Sequence, residues 1–249
     1  IMNEEKFDRV YHLAANSDIA QGINRTDLDF NLNFQTTRSV LEGMNASKTK
    51  ELMFASTSAI YGETDREIFE DMGPLFPVSF YGASKLAAEA YISVYAYNHG
   101  MKVWIARFPN VVGERATHGA IFDLINKLEA NPKKLEVLGD GSQCKPYLYV
   151  KELADAIQYF INKGKDSFNY INIGVESRTY VRDIVRIVIE EMGHKPDIEY
   201  TGGDRGWVGD VPNFRYSIKK MNRLGWKAKL LSDESVRKAV QEILKFRKN

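Results

Sequence analysis

Between Phe7 and Phe108 the sequence alternates strand-like and helix-like stretches, and that order leaves few folds open. Residues 7–15 read as a buried strand ending in the small residues Ala14 and Ala15. Residues 26–43 carry apolar side chains at helical spacing (Leu28, Leu32, Val40, Leu41), and a helix is predicted to stop at Gly43. Residues 51–56 form a second strand, residues 79–98 a long helix closed by Gly100, and residues 102–108 a third strand. Parallel strands need a crossover between them, so this order predicts a parallel α/β sheet. Ligands of such sheets gather at the carboxyl ends of the strands, where Ser56, Thr57, Pro109 and Asn110 fall.

Beyond Gly113 the pattern changes. Helices are expected over residues 121–129, 151–162, 180–192 and 233–246, with short strands at 135–138, 147–150 and 168–173 and a loop-rich stretch over 197–216. The second half reads as a smaller lobe interleaved with the first. The expected division is residues 1–112 plus about 146–175 for the sheet, and 113–145 plus 176–249 for the lobe.

Composition removes several function classes. With 44% apolar and 27% charged residues, the chain is of ordinary globular type. A formal net charge of +1 gives no electrostatic case for nucleic acid or an anionic membrane. No apolar run approaches the about 20 residues of a membrane span. Cys144 is the single cysteine, and the four histidines show no ligand spacing, so neither an internal disulfide nor a metal site is expected. No signal-peptide pattern is present, and the cytoplasm is the expected compartment.

Chemistry concentrates in Tyr81-Gly82-Ala83-Ser84-Lys85. Helical spacing puts the phenol and the ammonium on one face. A tyrosine titrates near about 10, but a neighbouring cation favours the phenolate. Such a pair can take a proton from a sugar or alcohol hydroxyl. Alone the motif is weak, because many helices carry an exposed Tyr and Lys at this spacing. Its neighbours strengthen it. Ser56-Thr57-Ser58-Ala59-Ile60-Tyr61-Gly62 follows a strand at the right distance to bring a hydroxyl beside Tyr81, although a strand-end turn satisfying its own backbone is the plainer reading. Arg107-Phe108-Pro109-Asn110-Val111-Val112-Gly113 follows the next strand.

With these segments in view, the chain resembles the extended short-chain dehydrogenases/reductases of the nucleotide-sugar epimerase/dehydratase group. His12-Leu13-Ala14-Ala15 is similar to the family's cofactor wall, and Asn31 to its structural asparagine. Thr57, Tyr81 and Lys85 fall on the catalytic positions, and Asn110 on the asparagine that contacts the substrate diphosphate. Gly139-Asp140-Gly141-Ser142-Gln143, Asn172-Ile173-Gly174, Gly206-Trp207-Val208-Gly209-Asp210 and Leu224-Gly225-Trp226 match later family segments, with Arg205 as the phosphate arginine.

The resemblance implies a Rossmann-like sheet, incomplete at its N-terminal side, with a smaller C-terminal α/β substrate lobe. It implies NAD held by Leu13, Ala14, Ala15, Asn31, Ser56, Tyr81, Lys85 and Phe108. A UDP-sugar is implied at Thr57, Asn110, Lys145 and Arg205, and a homodimer through the helices holding Asn31 and Tyr81. The implied reaction is 4-epimerisation of UDP-glucose or UDP-galactose type through a 4-keto sugar, with Tyr81 as base and Lys85 lowering its pKa. Reduction or decarboxylation of a sugar nucleotide, or binding without turnover, are the alternatives.

Three departures bear on this. The dehydratase branch carries Asp-Glu after the catalytic threonine, where Ser58 and Ala59 stand here, which favours epimerisation. Lys145-Pro146 replaces the usual Arg-Asp, and lysine offers a point charge rather than a fork. The family's glycine-rich turn and the acid that reads the adenosine ribose are not found in these residues, so upstream residues are expected and residues 7–13 would form an apolar sheet edge. Trp207 could stack on a base or simply pack, His118 reads as a loop residue, and Cys144 as inert.

Overall fold

The structure is a computed structural model that describes residues 4–207 and 209–248. Val208 of the Gly-Asp segment and the opening Ile1 lie outside the described residues. In chain order the elements begin with β1 (Arg9–His12), a 3-10 turn (Ile19–Ile23), α1 (Thr26–Asp29), a π-helical stretch (Phe30–Gln35) and α2 (Thr36–Ser47). Then follow β2 (Glu51–Thr57), a 3-10 turn (Ser58–Tyr61), β3 (Glu67–Ile68), α3 (Phe80–His99), β4 (Lys102–Phe108) and β5 (Asn110–Val112). The second half holds α4 (Ala120–Ala130), β6 (Lys134–Val137), β7 (Cys144–Lys145), β8 (Tyr147–Tyr149), α5 (Val150–Lys163) and β9 (Phe168–Asn172). The chain closes with β10 (Thr179–Tyr180), α6 (Val181–Met192), β11 (Asp197–Tyr200), β12 (Arg215–Tyr216), α7 (Lys219–Leu224) and α8 (Ser232–Arg247).

The main sheet runs β1-β2-β4-β9, and every neighbouring pair is parallel. Successive side chains of a strand point to opposite faces, and both faces are covered. Leu52, Phe54, Val103 and Ile105 meet Leu41 and Met44 of α2 and Ala88 and Ile92 of α3. Met53, Trp104, Ala106 and Ile171 meet Leu153, Ala156, Ile157 and Phe160 of α5. A separate core joins α4, α6 and α8 around Leu128, Leu135, Val188 and Val240. The stretch from Phe214 to Trp226 returns from that lobe to the sheet, where Tyr216 and Ile218 pack on Ile60 and Tyr61, and Met221 and Trp226 join the core under β9. β1 and β9 are the edge strands, and Tyr11 of β1 and Leu13 just past it are exposed.

One helix boundary differs from the expectation. The helix predicted to stop at Gly43 passes through it and ends at Ser47. Met44 continues the buried stripe of Leu41, so packing overrides the low helix propensity of a single glycine. The stop is Lys48, left-handed at φ 62°, whose N–H reaches the Met44 and Asn45 carbonyls.

Candidate active site

Ser79 caps α3, its hydroxyl accepting from the Gly82 N–H at 3.1 Å. Gly82 fixes how closely the helix meets the turn after β2. A Cβ there would stand 2.5 Å from the Ala59 carbonyl oxygen and 3.0 Å from Pro77. Its absence lets Tyr81 sit against Thr57. Thr57 Oγ1 accepts from the Ala59 N–H at 3.1 Å, which leaves its own proton free to donate. Tyr81 is buried, and burial pushes its phenol up to about 12, against a hydrogen bond with Thr57 that pulls it down and with the charge of Asp29 adding to the rise.

Lys85 corrects an expectation. Its ammonium donates to the Ala55 carbonyl at 2.9 Å and lies 4.7 Å from the Phe54 ring centre. Its charge is therefore turned to the β2 backbone, and desolvation rather than the lysine governs the phenol. Burial also pushes Lys85 itself down to about 8, opposed by Glu89 one turn along α3.

Asn31 is a second correction. It is exposed, whereas Asn33 is buried. Asp29, Asn33 and Thr37 are spaced four apart and share the inner helix face, which Asn31 does not. Asn33 Oδ1 accepts from the Asn16 N–H at 2.7 Å, and its Nδ2 donates to Asp29 Oδ1 at 3.1 Å and to Ser84 Oγ at 3.2 Å. The spacing of Asp29 from Asn33 was a usable signal, as was that of Glu89 from Lys85.

The other expected cofactor positions divide. Leu13 and Ala14 are exposed and Ala15 half-buried just past β1, leaving apolar surface at a strand end. Phe108 is half-buried against the core under β9. The Ser56 hydroxyl is fully buried and donates to Glu89 at 2.5 Å, so its side chain belongs to the core.

The expected diphosphate residues share one wall. β5 pairs in parallel with β8 at Asn110↔Tyr147, and the Asn110 amide reaches the Pro146 carbonyl at 3.4 Å. Lys145, half-buried, forms an ion pair with the buried Asp210, whose Oδ2 also accepts from the Gly206 N–H at 3.2 Å. Arg205 is exposed and gripped in bidentate fashion by Glu63 at 2.8 and 3.0 Å. Both cations already hold a carboxylate. Trp207 is half-buried and lines a hollow of about 370 Å³ with Ile19, Ile23, Val78 and Phe80. His118 donates from Nε2 to the Ser17 carbonyl at 3.2 Å, bridging the loop after β5 to the loop after β1. Burial pushes the Cys144 thiol up, which leaves it a poor nucleophile.

Known proteins match this arrangement. The NAD dependent epimerase/dehydratase family profile matches residues 1–174. A protein of Methanocaldococcus jannaschii assigned as a UDP-glucose 4-epimerase is 30% identical over 96% of this chain and 78% of its own length. The solved structure of a UDP-galactose 4-epimerase superposes with a TM-score of 0.88 at 35% identity, covering 96% of this chain and 78% of that one. A trifunctional UDP-glucose 4,6-dehydratase, 3,5-epimerase and reductase of Arabidopsis thaliana is 26% identical over 95% of this chain, which spans 36% of the plant protein. By profile, sequence and fold, the chain belongs to the NAD-dependent epimerase/dehydratase family.

Proposed function

We propose that the chain carries the catalytic site of a nucleotide-sugar 4-epimerase acting on UDP-glucose or UDP-galactose. The observation that supports this most is the Thr57–Tyr81 contact at the carboxyl end of β2, with Lys85 one turn behind. The residues present suit NAD. Leu13 and Ala14 expose apolar surface next to β1, and the buried Lys85 ammonium lies within electrostatic reach of His12 on that strand. When bound, NAD supplies the hydride acceptor and donor that the sugar C4 needs.

Tyr81 takes the C4 hydroxyl proton and later returns it. Burial holds the phenol up to about 12, above the range where a base works best, so the transfer leans on the hydrogen bond with Thr57, which pulls the phenol down. Thr57 donates to the same oxygen and shares the charge that develops there. Asn110, Lys145 and Arg205 hold the diphosphate, with Arg205 exchanging Glu63 for phosphate oxygens. Dehydration of the sugar is disfavoured, because Ser58 and Ala59 follow Thr57 where an acid and a base would be needed. A homodimer belongs to the same proposal. Phe30, Tyr91 and Val94 are exposed along the face of the helices that carry Asn31 and Tyr81, with Phe34 edge-on to Tyr91 at 4.8 Å. A sedimentation mass of one protomer for the full chain would overturn that part.

The activity test supplies UDP-galactose and NAD to the full chain and to Tyr81→Phe. Removing the acid–base group is expected to cut kcat about 10²- to 10⁴-fold. Equal turnover by the two proteins sinks the assignment, and net production of NADH points to a reductase or decarboxylase instead.

A further inference from the structure

We propose that Asp29 is a positioning residue for Tyr81, a carboxylate sealed behind the tyrosine that ties the exit of β1 to the helix bearing the base. Asp29 ends α1 and is fully buried. Its Oδ1 accepts from Asn16 Nδ2 at 2.9 Å and from Asn33 Nδ2 at 3.1 Å. Its Oδ2 is buried with no hydrogen-bond partner among the described residues. Gly22 closes over that oxygen, and a Cβ there would stand 2.2 Å from it. A buried carboxylate with an unmet oxygen costs stability, and structures keep such groups where they do something else.

What Asp29 does follows from its ionised form being acceptor-only; burial pushes this carboxyl up, and the two asparagine NH₂ groups pull it back down. It obliges both Asn16 and Asn33 to turn their NH₂ groups toward it. Asn33 Oδ1 is then left facing the Asn16 N–H, at 2.7 Å. Asn16 directly follows the expected cofactor wall, Leu13 to Ala15. On the other side Asn33 Nδ2 donates to Ser84 Oγ at 3.2 Å, and Ser84 Oγ donates to the Tyr81 carbonyl at 2.8 Å. The loop after β1 is thus joined to the backbone of Tyr81 through hydrogen bonds whose direction one carboxylate sets.

The charge matters as well as the geometry. Asp29 adds to the rise of the Tyr81 phenol that burial begins. The other group facing the phenol is Thr57 from the end of β2, while Lys85 on the same helix faces Glu89 of α3 and His12 of β1. Asp29 itself faces Asp18 of the loop after β1.

The inference rests on Tyr81 being the base, and the test separates the two. In the full chain carrying ¹³Cζ-tyrosine, the Tyr81 resonance is the one lost in Tyr81→Phe. Asp29→Asn is expected to move the titration midpoint of that resonance down, with no turnover required. With UDP-galactose and NAD it is expected to lower kcat roughly tenfold while KM stays within about twofold. Gly22→Ala displaces the carboxylate without removing it, and the same direction of kcat loss is expected. An unmoved midpoint in Asp29→Asn, with or without a kcat loss, reduces Asp29 to packing and overturns the proposal, as does full activity in Gly22→Ala. Retained turnover in Tyr81→Phe would instead remove the base assignment, while the midpoint still reads the link to Asp29.

Discussion

His12 lies under Lys85, 4% exposed, with its ring 5.5 Å from that of Phe54. Thr37 gives its hydroxyl proton to the Asn33 carbonyl, so His12 Nε2 is the donor in the 2.9 Å contact with Thr37 Oγ1. Protonating the remaining nitrogen would bury a second cation beside Lys85. Burial first, and Lys85 second, push the imidazole down to about 4. The unfolded chain, at about 6.5, therefore binds more protons between those values, and stability falls as pH drops through that window. The loss for this group is about 3 kcal/mol, complete near pH 4 and absent above about 6.5. Denaturant unfolding at pH 7.5 and 4.5 should show wild type losing most of that, about 2.5 kcal/mol, more than His12→Gln. Parallel losses in the two proteins would mean that the imidazole is not the group that titrates.

The approach of α3 to the turn after β2 rests on Gly82, and two effects of opposite sign meet there. Alanine in place of a helical glycine gains up to about 1 kcal/mol. A methyl 2.5 Å from the Ala59 carbonyl oxygen is overpacking, which costs about 1 to 3 kcal/mol. The contact is against backbone, which cannot rotate away, so the loss is expected to win. Gly82→Ala should lower Tm by a few degrees and, by parting Tyr81 from Thr57, lower kcat at least about tenfold. A variant more stable and equally active would show that the turn yields freely. Elements of this length are what the sequence displayed well. β2 and β4 are near-continuous apolar runs, as strands buried on both faces must be, and the long helix α3 is bounded by the Ser79 cap and the left-handed Gly100. The two-residue strands β3 and β12 carry no period at all, yet they pair in parallel and hold residues 215–216 against 67–68. Gly43 misled because burial of Met44 is a tertiary effect. Asn31 and Asn33 are both asparagines two positions apart, and only the helix phase, shifted by the π-helical stretch, tells them apart. Residue type and spacing put Tyr81, Lys85 and Thr57 forward as candidates, and the structure brings Thr57 into hydrogen-bond contact with Tyr81. The direction of the Lys85 ammonium, and the carboxylates on Lys145 and Arg205, depend on contacts between residues 30 to 142 positions apart in the chain.

Sheet, site and lobe meet in one buried polar network. Glu89 of α3 accepts from Ser56 of β2 and, at 2.6 to 3.2 Å, from the Arg107 guanidinium of β4. Arg107 also donates to the Tyr61 hydroxyl at 2.9 Å and to the Glu70 carbonyl at 2.8 Å. Tyr61 donates to Asn172 Oδ1 at the end of β9, and the Asn172 N–H reaches the Glu70 carboxylate at 3.0 Å. Tyr216, on the segment returning from the lobe, donates to the Arg107 carbonyl at 2.8 Å. Every strand of the main sheet except β1 is joined through these groups, and Glu89 also holds up the charge of Lys85. Such a pair is costly to bury, so its gain over an apolar pair is small, but removing one partner strands the other. Arg107→Met alone is therefore expected to lose about 3 to 5 kcal/mol, and Glu89→Leu alone a similar amount. The Glu89→Leu/Arg107→Met double variant should lose clearly less than the two together, because neither charge is left unpaired. Chemical denaturation of the four proteins reads this directly. Strict additivity would show that Glu89 and Arg107 are stabilised separately, by Ser56 on one side and Tyr61 and Glu70 on the other. A shortfall below the sum places the ion pair itself at the junction that keeps β2, β4 and α3, and hence Thr57 and Tyr81, in fixed relation.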